Sequence, residues 1–253
     1  MKILAVRSVP LSRETREAWN SAGVRFLRRT RRLRDVPRIV QRYGYDAVLS
    51  LGNLEGIPEC GVPRFNSDET IRAVSRTAAL RITLDDNKAD TRFMPPLVHE
   101  QNPGPHWHKN GGWGGAGVVY HDQFYEGCAE WGSPELQRHI DGDEYRVITV
   151  GDKVVQASRK INVEWINGRH HFDYEWCGVK GVSRNGIIPL LHEAVALIPG
   201  GEQSVLGWDI IVGERPYIIE CNTSPGVNEP TARRIVDAME NNIRDRNTAD
   251  LRP

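Results

Sequence analysis

The chain has 253 residues, of which 39% are hydrophobic and 26% charged, and its 33 basic and 33 acidic side chains give a formal net charge of zero. That length can bury a substantial core, as one large domain or as two to three small lobes, and the neutral total names no partner by itself. No run of 18 apolar residues offers a helical membrane span, and the opening Met1-Lys2-Ile3-Leu4-Ala5-Val6-Arg7 is too soon interrupted for a signal peptide and reads as a first buried strand.

Residues 2–7, 24–28 and 46–51 read as short strands. Between the first two, Ser12 to Ala22 is a predicted helix with Ser12 as N-cap, Glu14 in the first turn and Gly23 at the exit. Val36 to Tyr43 is a second, with Pro37 near its start and Gly44 beyond its end. Strands alternating with helices imply a small parallel α/β lobe. Its charge is uneven: the first 42 residues hold eleven Arg and one Lys against Glu14, Glu17 and Asp35. The patch fits a solvated surface balanced elsewhere, and it also fits a docking face for nucleic acid or another acidic polymer. Cys60, Cys128, Cys177 and Cys221 are scattered without the paired spacing of zinc or redox motifs. They read as thiols in a reducing compartment, so the cytoplasm is the expected location.

A helical run follows from Thr70 to about Leu84, carrying Arg76. Beyond it, His106-Trp107-His108-Lys109 ends an extended segment and leads into five glycines between Gly111 and Gly117. Glycines let backbone N–H groups converge on an anion with no Cβ in the way, and Lys109 adds a point charge. A flexible hairpin has the same composition, and no Gly-Lys-Ser/Thr makes this a Walker loop. His106 and His108 read as structural histidines, since zinc lacks a third partner at recognisable spacing.

From Leu136 to Ala157, two strands are joined at Gly151-Asp152, a clear hairpin signal. Arg159 and Lys160 follow the second strand, and Lys180 sits in a Gly178-Val179-Lys180-Gly181 loop. Ile187 to Leu197 is apolar at helical spacing with Pro189 in its first turn. Then Gly207-Trp208-Asp209-Ile210-Ile211-Val212 and Pro216-Tyr217-Ile218-Ile219-Glu220-Cys221-Asn222 read as strands paired through a tight turn after Gly213. Glu220 and Asn222 are two apart and leave the same face of their strand. With Asp209 they offer the carboxylate and amide oxygens that Mg²⁺ prefers; an amphipathic hairpin with solvated acids is the plainer alternative. Residues 240–253 look polar and frayed.

In this order the features resemble the ATP-grasp ligases, the superfamily that includes D-alanine–D-alanine ligase and the RimK-type amino-acid ligases. The resemblance rests on "GWDII…YIIECNTSPGV", on the glycine-rich segment after Lys109 and on "LQRHIDGDEYRV…GDKVVQASRK", and it covers roughly residues 62–230. Asn110 stands where the family usually has proline. The resemblance implies a mixed α/β ATP-grasp fold: an N-terminal α/β lobe over 1–66, a central lobe with a glycine-rich flap over 67–136, and a C-terminal lobe with the metal site over 137–253.

It also implies roles for particular residues. Asp209, Glu220 and Asn222 would hold one or two Mg²⁺ ions, with Mn²⁺ as a substitute. Lys109 with Gly114, Gly115 and Gly117 would cover the phosphates. Gln137, Arg138, His139 and Ile140 would present backbone groups to adenine, and Glu144 would bind the ribose hydroxyls. Arg76 and Lys180 are further candidates for the nucleotide. Arg159 and Lys160 would face the triphosphate and the acyl phosphate, and Ser224 and Gly226 would border the reacting carbonyl. The implied reaction is ATP-dependent joining of an amino-acid or peptide carboxylate to an amine. "NSDETI" and "EYRV" favour the RimK-like side, and a homo-oligomer is within the family's habits. The alternative is a polyanion-binding protein that uses the Arg-rich lobe on the same scaffold.

Overall fold

A computed structural model describes residues 1–8, 10–27, 32–52, 56–86, 92–98, 104–109, 118–122, 136–166 and 169–249. Its first sheet is the expected parallel one. Strands β1 (Ile3–Arg7), β2 (Val24–Phe26), β3 (Ala47–Leu51) and β4 (Arg64–Phe65) lie in the order β2-β1-β3-β4, every pair parallel. Helix α1 (Arg13–Ser21) begins where Ser12 Oγ accepts the Thr15 N–H at 3.1 Å. Helix α2 (Val36–Tyr43) ends where Gly44 takes φ of 60°, a left-handed cap that glycine adopts without steric cost. Alternation along β1 splits the core. Leu4 and Val6 pack with Val36 and Val40 of α2, whereas Ile3 and Ala5 pack with Trp19 of α1 on the other side.

That second side is closed by helix α7 (Glu229–Ala249), whose Ala232, Ile235 and Met239 are buried there. The frayed tail expected from residue 240 is therefore helical to Ala249, because Met239 is buried and Ile243 packs on the same core. Ile148, Val150 and Val205 of the C-terminal sheet join this cluster. One long helix thus seals the first lobe onto the lobe that carries the candidate site.

The run from Thr70 to Leu84 is two helices rather than one. Helix α3 (Asp68–Val74) is capped by Ser67, and helix α4 (Thr77–Asp85) starts after Arg76, whose backbone is extended at φ −141° and ψ 150°. The break lets Leu80 and Leu84 of α4 join Val74 of α3 in the cluster around Trp208. Strands β5 (His106–Lys109), β6 (Val118–His121) and β7 (Leu136–Arg138) make a small antiparallel sheet, ordered β6-β5-β7.

The largest sheet is antiparallel, ordered β10-β9-β8-β11-β12. It comprises β8 (Asp143–Val150), β9 (Lys153–Ile166), β10 (Arg169–Trp176), β11 (Val205–Val212) and β12 (Pro216–Asn222). The turn at Gly151-Asp152 joins β8 to β9 as expected, but β9 runs on through Arg159 and Lys160, and β10 is an additional strand. Lys180 is also corrected: it lies in helix α5 (Gly178–Ser183), not in a loop. Helix α6 (Ile187–Leu197) has the expected bounds. One face of the sheet, with Tyr145, Val147, Ala157, Trp208, Ile210 and Ile218, packs against Val182 of α5 and Leu191 and Ala194 of α6. The other face carries the polar residues described next.

Candidate functional site

Register places the candidate ligands. Asp209 of β11 stands opposite Glu220 of β12, and Gly207 stands opposite Asn222. Residues opposite each other share a face, as do residues two apart on a strand. Asp209, Glu220 and Asn222 therefore leave one face together, the face opposite Trp208 and Ile210. A bulge between Asp209 and Ile210 ends the even pairing beside them. Gly207 leaves room in the row: a Cβ there would come within 2.8 Å of Pro225 Cβ and 3.3 Å of Asn222 Oδ1. Pro225 thus folds back over β11, and the Ser224 N–H donates to Asn222 Oδ1 at 3.2 Å.

The neighbouring strands add cations to the same face. Arg146 of β8 is opposite Asp209 and grips it with two bonds, Nε to Oδ1 at 2.5 Å and Nη2 to Oδ2 at 2.7 Å. Lys160 of β9 donates to Glu144 Oε2 at 2.8 Å and lies 3.7 Å from Asp209 Oδ1. Its ammonium also sits 4.7 Å from the centre of the Phe172 ring. Burial alone would lower the pKa of both cations. For Arg146 the nearby Asp209, Tyr174 and Glu220 reverse this, and for Lys160 the carboxylates of Asp209 and Glu144 do, so both stay protonated above their ordinary range. Burial pushes the Tyr174 phenol up as well, with Arg146 opposing and Asp209 reinforcing the rise.

Arg159 stands apart from this group. It neighbours Lys160 in sequence, so it points through the opposite face of β9, where its Nη2 bonds Asp143 Oδ1 at 2.5 Å. Lys180, on α5, belongs to the helical layer that packs on that same opposite face. Arg146, which the sequence offers only as one more cation near Arg159 and Lys160, makes two hydrogen bonds to Asp209. The period-2 spacing from Glu144 is the signal that places it there.

The segment linking the two sheets is more committed to protein contacts than its sequence suggests. The Arg138 N–H donates to Pro96 O and the His139 N–H to Pro105 O, each at 2.8 Å. Gln137 is buried opposite Trp107, and Ile140 packs against Gly213, where a Cβ would approach to 2.8 Å. The His139 ring accepts the Trp107 indole N–H at Nδ1, 2.9 Å away, and contacts Asp141 Oδ1 at 3.0 Å. Lys109 closes β5, and its side chain is outside the described set. Gly114, Gly115 and Gly117 lie outside the described residues. Arg76 caps α4 without a side-chain bond to it.

Past β12, the Ser224 hydroxyl oxygen is buried with no hydrogen-bond partner among the described residues, while the position of a Cβ on Gly226 is open space. Behind this turn, Asn66 is fully buried at φ 61°. Its amide donates to Ser50 O at 2.8 Å and Thr223 O at 3.2 Å, and its oxygen accepts the Val205 N–H at 2.7 Å. One side chain therefore ties the first lobe to β11 and to the turn that follows β12.

Two carboxylates and an amide on one face fit the hard-oxygen donors that Mg²⁺ takes. Among the described residues no three His, Cys, Asp or Glu side chains gather closely enough to hold an ion. Mg²⁺ takes one or two protein carboxylates and draws its other oxygens from phosphate and water. Among the described residues no helix is long and apolar enough to cross a membrane. Cys60, Cys177 and Cys221 are free thiols, and Cys128 lies outside the described residues.

Residues 108–226 match the family described as the ATP-grasp domain. The D-alanine–D-alanine ligase of Bacillus anthracis superposes with a TM-score of 0.62 at 14% identity, covering 98% of this chain and 99% of that one. The chain has the ATP-grasp fold. The ATP-grasp ligase PsnB, solved with a minimal precursor, Mg and ADP, aligns at a TM-score of 0.58 and 12% identity over 94% of this chain and 97% of that one. The L-amino acid ligase of Bacillus licheniformis aligns at 0.56 and 16% over 89% and 68%. No curated protein sequence matches the chain. The match spans the three-stranded and five-stranded antiparallel sheets, from His108 on β5 through the Asp209–Glu220 hairpin to Gly226.

Proposed function

We propose that the protein is an ATP-dependent carboxylate–amine ligase of the RimK-like kind, acting on an amino acid or an acidic peptide. The observation that carries this reading is the row formed by Asp209, Glu220 and Asn222, with Arg146 and Lys160 beside it, on one face of a sheet in an ATP-grasp fold. The relatives in structure point the same way: their names describe ligases, and one of them was solved with Mg and ADP.

In this scheme a substrate carboxylate attacks the γ-phosphorus of ATP, giving an acyl phosphate and ADP. An amine then attacks the carbonyl carbon and expels phosphate, leaving an amide. Mg²⁺ held by Asp209, Glu220 and Asn222 would offset charge on the phosphate oxygens. Lys160 and Arg146 meet the same charge from the adjoining strands, as fixed cations that need no reorganisation during the reaction. They also neutralise Asp209 and Glu144 by direct hydrogen bonds. In this reading the Gly226 N–H would stabilise the tetrahedral oxyanion, since Pro225 has no N–H and that of Ser224 is held by Asn222 Oδ1. The reading assigns to Lys109 and the glycines that follow it in sequence the task of excluding the water that would hydrolyse the acyl phosphate.

The test is a screen of amino acids and acidic peptides for Mg²⁺-dependent ADP release, with mass spectrometry of the adduct. Asp209→Asn and Glu220→Gln should each lower turnover at least about a hundredfold, on the scale of removing one electrostatic partner of a transition state. Normal turnover in both variants would overturn the site.

A further inference from the structure

The ligase reading leaves unexplained the aromatic rings that β10 carries on the face of the candidate site. Trp176 of β10 stands opposite Ser158 of β9, Ser158 opposite Arg146 of β8, and Arg146 opposite Asp209. Residues paired across strands share a face, so Trp176 ends the row that begins at the candidate metal ligand. Tyr174, two residues earlier, is opposite Lys160 and lies on the same face. Trp176 is 54% exposed and Tyr174 48%. An edge strand is ordinarily blunted by charge, so two adjoining rings turned to water are unusual there.

Helix α7 crosses this same face. Its Ile235 and Met239 pack with Ile148 and Val150, which alternate with Arg146 along β8. The helix brings Arg234 to Trp176, with the guanidinium carbon 4.4 Å from the ring centre. Arg234 differs from the other arginines of α7. Arg233 pairs with Glu229, Arg244 with Glu240 and Arg246 with Glu202, whereas Arg234 has no carboxylate partner among the described residues. It is exposed, and the indole is the ring that holds a cation best. A guanidinium held against a ring is a planar fork of N–H donors, the geometry that takes a carboxylate by two bonds.

The length of the row limits what can reach both ends. Three strand spacings of about 4.8 Å put the Trp176 position roughly 14 Å from Asp209. At about 3.3–3.6 Å per extended residue, that is about four residues of peptide. A single amino acid is too short. We propose that Trp176 and Arg234 form an anchoring subsite for a peptide substrate. The guanidinium takes a carboxylate three to four residues away from the carboxylate that reacts, and the indole covers the chain between them. The position of the reacting end rests on the ligase reading; the anchoring end narrows the substrate to an acidic peptide.

Alanine pentapeptides carrying one glutamate, placed one to four residues before the C-terminal residue, are titrated calorimetrically into the full chain with Mg²⁺ and ADP present. Glutamate at three or four residues should bind at least about tenfold more tightly than the all-alanine peptide, the scale of one charge-assisted pair. Arg234→Gln should erase that preference, and Arg234→Lys should keep part of it, with the charge but not the fork. Trp176→Leu should weaken binding about threefold by removing the platform under the guanidinium. Both positions are exposed, so melting temperatures should stay at the parent value. In turnover, Arg234→Gln should raise KM for the preferred peptide and leave kcat unchanged. Equal binding of the glutamate and all-alanine peptides, or an Arg234→Gln variant that binds as the parent does, overturns the subsite and leaves the ligase reading standing. Binding that depends on Arg234, with no ADP released for any peptide and amine, upholds the subsite and overturns the ligase reading instead.

Discussion

Arg146 holds Asp209 by both carboxylate oxygens, at 2.5 and 2.7 Å, with only 20% and 11% of their side-chain surfaces exposed. The candidate metal ligand is therefore stored as half of an ion pair, and a cation must compete with a guanidinium to reach it. Removing one partner of a buried pair strands the other, at about 3–5 kcal/mol. Lys160, 3.7 Å away, would recover part of that. Arg146→Met should thus lower stability by about 2–3 kcal/mol, measured by thermal melting without metal. Adding Mg²⁺ should raise the melting temperature of Arg146→Met more than that of the parent. An equal response in the two proteins would show that Arg146 does not guard the ion site.

Asn66 is the second point where one side chain decides an assembly. It makes three buried hydrogen bonds, to Ser50, Thr223 and Val205, from a left-handed backbone position. Asn66→Gly keeps the backbone conformation at no steric cost but loses every one of those bonds. With about 1 kcal/mol for each bond, the expected loss in urea unfolding is roughly 3 kcal/mol. Asn66→Asp retains only the acceptor for the Val205 N–H and buries a charge, so it should lose at least as much. A loss below about 1 kcal/mol in both variants would mean that water replaces these contacts.

Much of this was legible because period-2 and turn signals were strong. Pro189 and the apolar spacing marked α6, Gly151-Asp152 marked the β8–β9 turn, and Glu220 and Asn222 were two apart. The same periodicity separates Arg159 from Lys160, yet it does not say which of the pair faces Asp209. That depends on the pairing of β8 with β9, a non-local contact. Strand β10 was missed although Phe172, Tyr174 and Trp176 alternate with Asp173 and Glu175, the period-2 signal of a strand. The end of α7 was misread because only Met239 and Ile243 mark its inner side after residue 238. The break at Arg76 leaves no Gly or Pro signature and is set by packing of α4 on the sheet.

Two glycines separate steric from functional loss at the site turn. Gly207 faces Pro225 and Asn222, so Gly207→Ala should displace the Thr223–Gly226 turn, costing about 1–3 kcal/mol of stability and abolishing ADP release. Gly226 has open space where its Cβ would stand. Gly226→Ala should leave stability within about 0.5 kcal/mol, while the added methyl obstructs a substrate carbonyl approaching the turn. Turnover should fall about tenfold or more with the melting temperature unchanged, on the scale of a misplaced reacting group. Full turnover in Gly226→Ala would move the reacting carbonyl away from this turn.

Arg81 carries the pH-dependent prediction. It is fully buried, its Nη2 donates to Pro95 O at 2.7 Å, and its Nε and Nη1 have no hydrogen-bond partner among the described residues. Burial lowers its pKa to about 10, below the ordinary guanidinium range, with Asp85 opposing the shift. A base whose folded pKa lies below its unfolded one costs stability while it is charged. The cost is present in full below about pH 10 and is relieved as pH climbs from there toward the ordinary guanidinium range. At neutral pH that cost is on the order of 3 kcal/mol, and the bond to Pro95 returns about 1 kcal/mol of it. Arg81→Met, similar in volume and apolar, should therefore be more stable than the parent by about 1–2 kcal/mol at pH 7 in urea unfolding. The advantage should shrink once pH passes about 10, where the parent begins to shed its proton. A variant less stable than the parent at pH 7 would mean that Asp85, which also accepts the N–H groups of Arg92, Phe93 and Met94, needs the guanidinium charge to hold that turn.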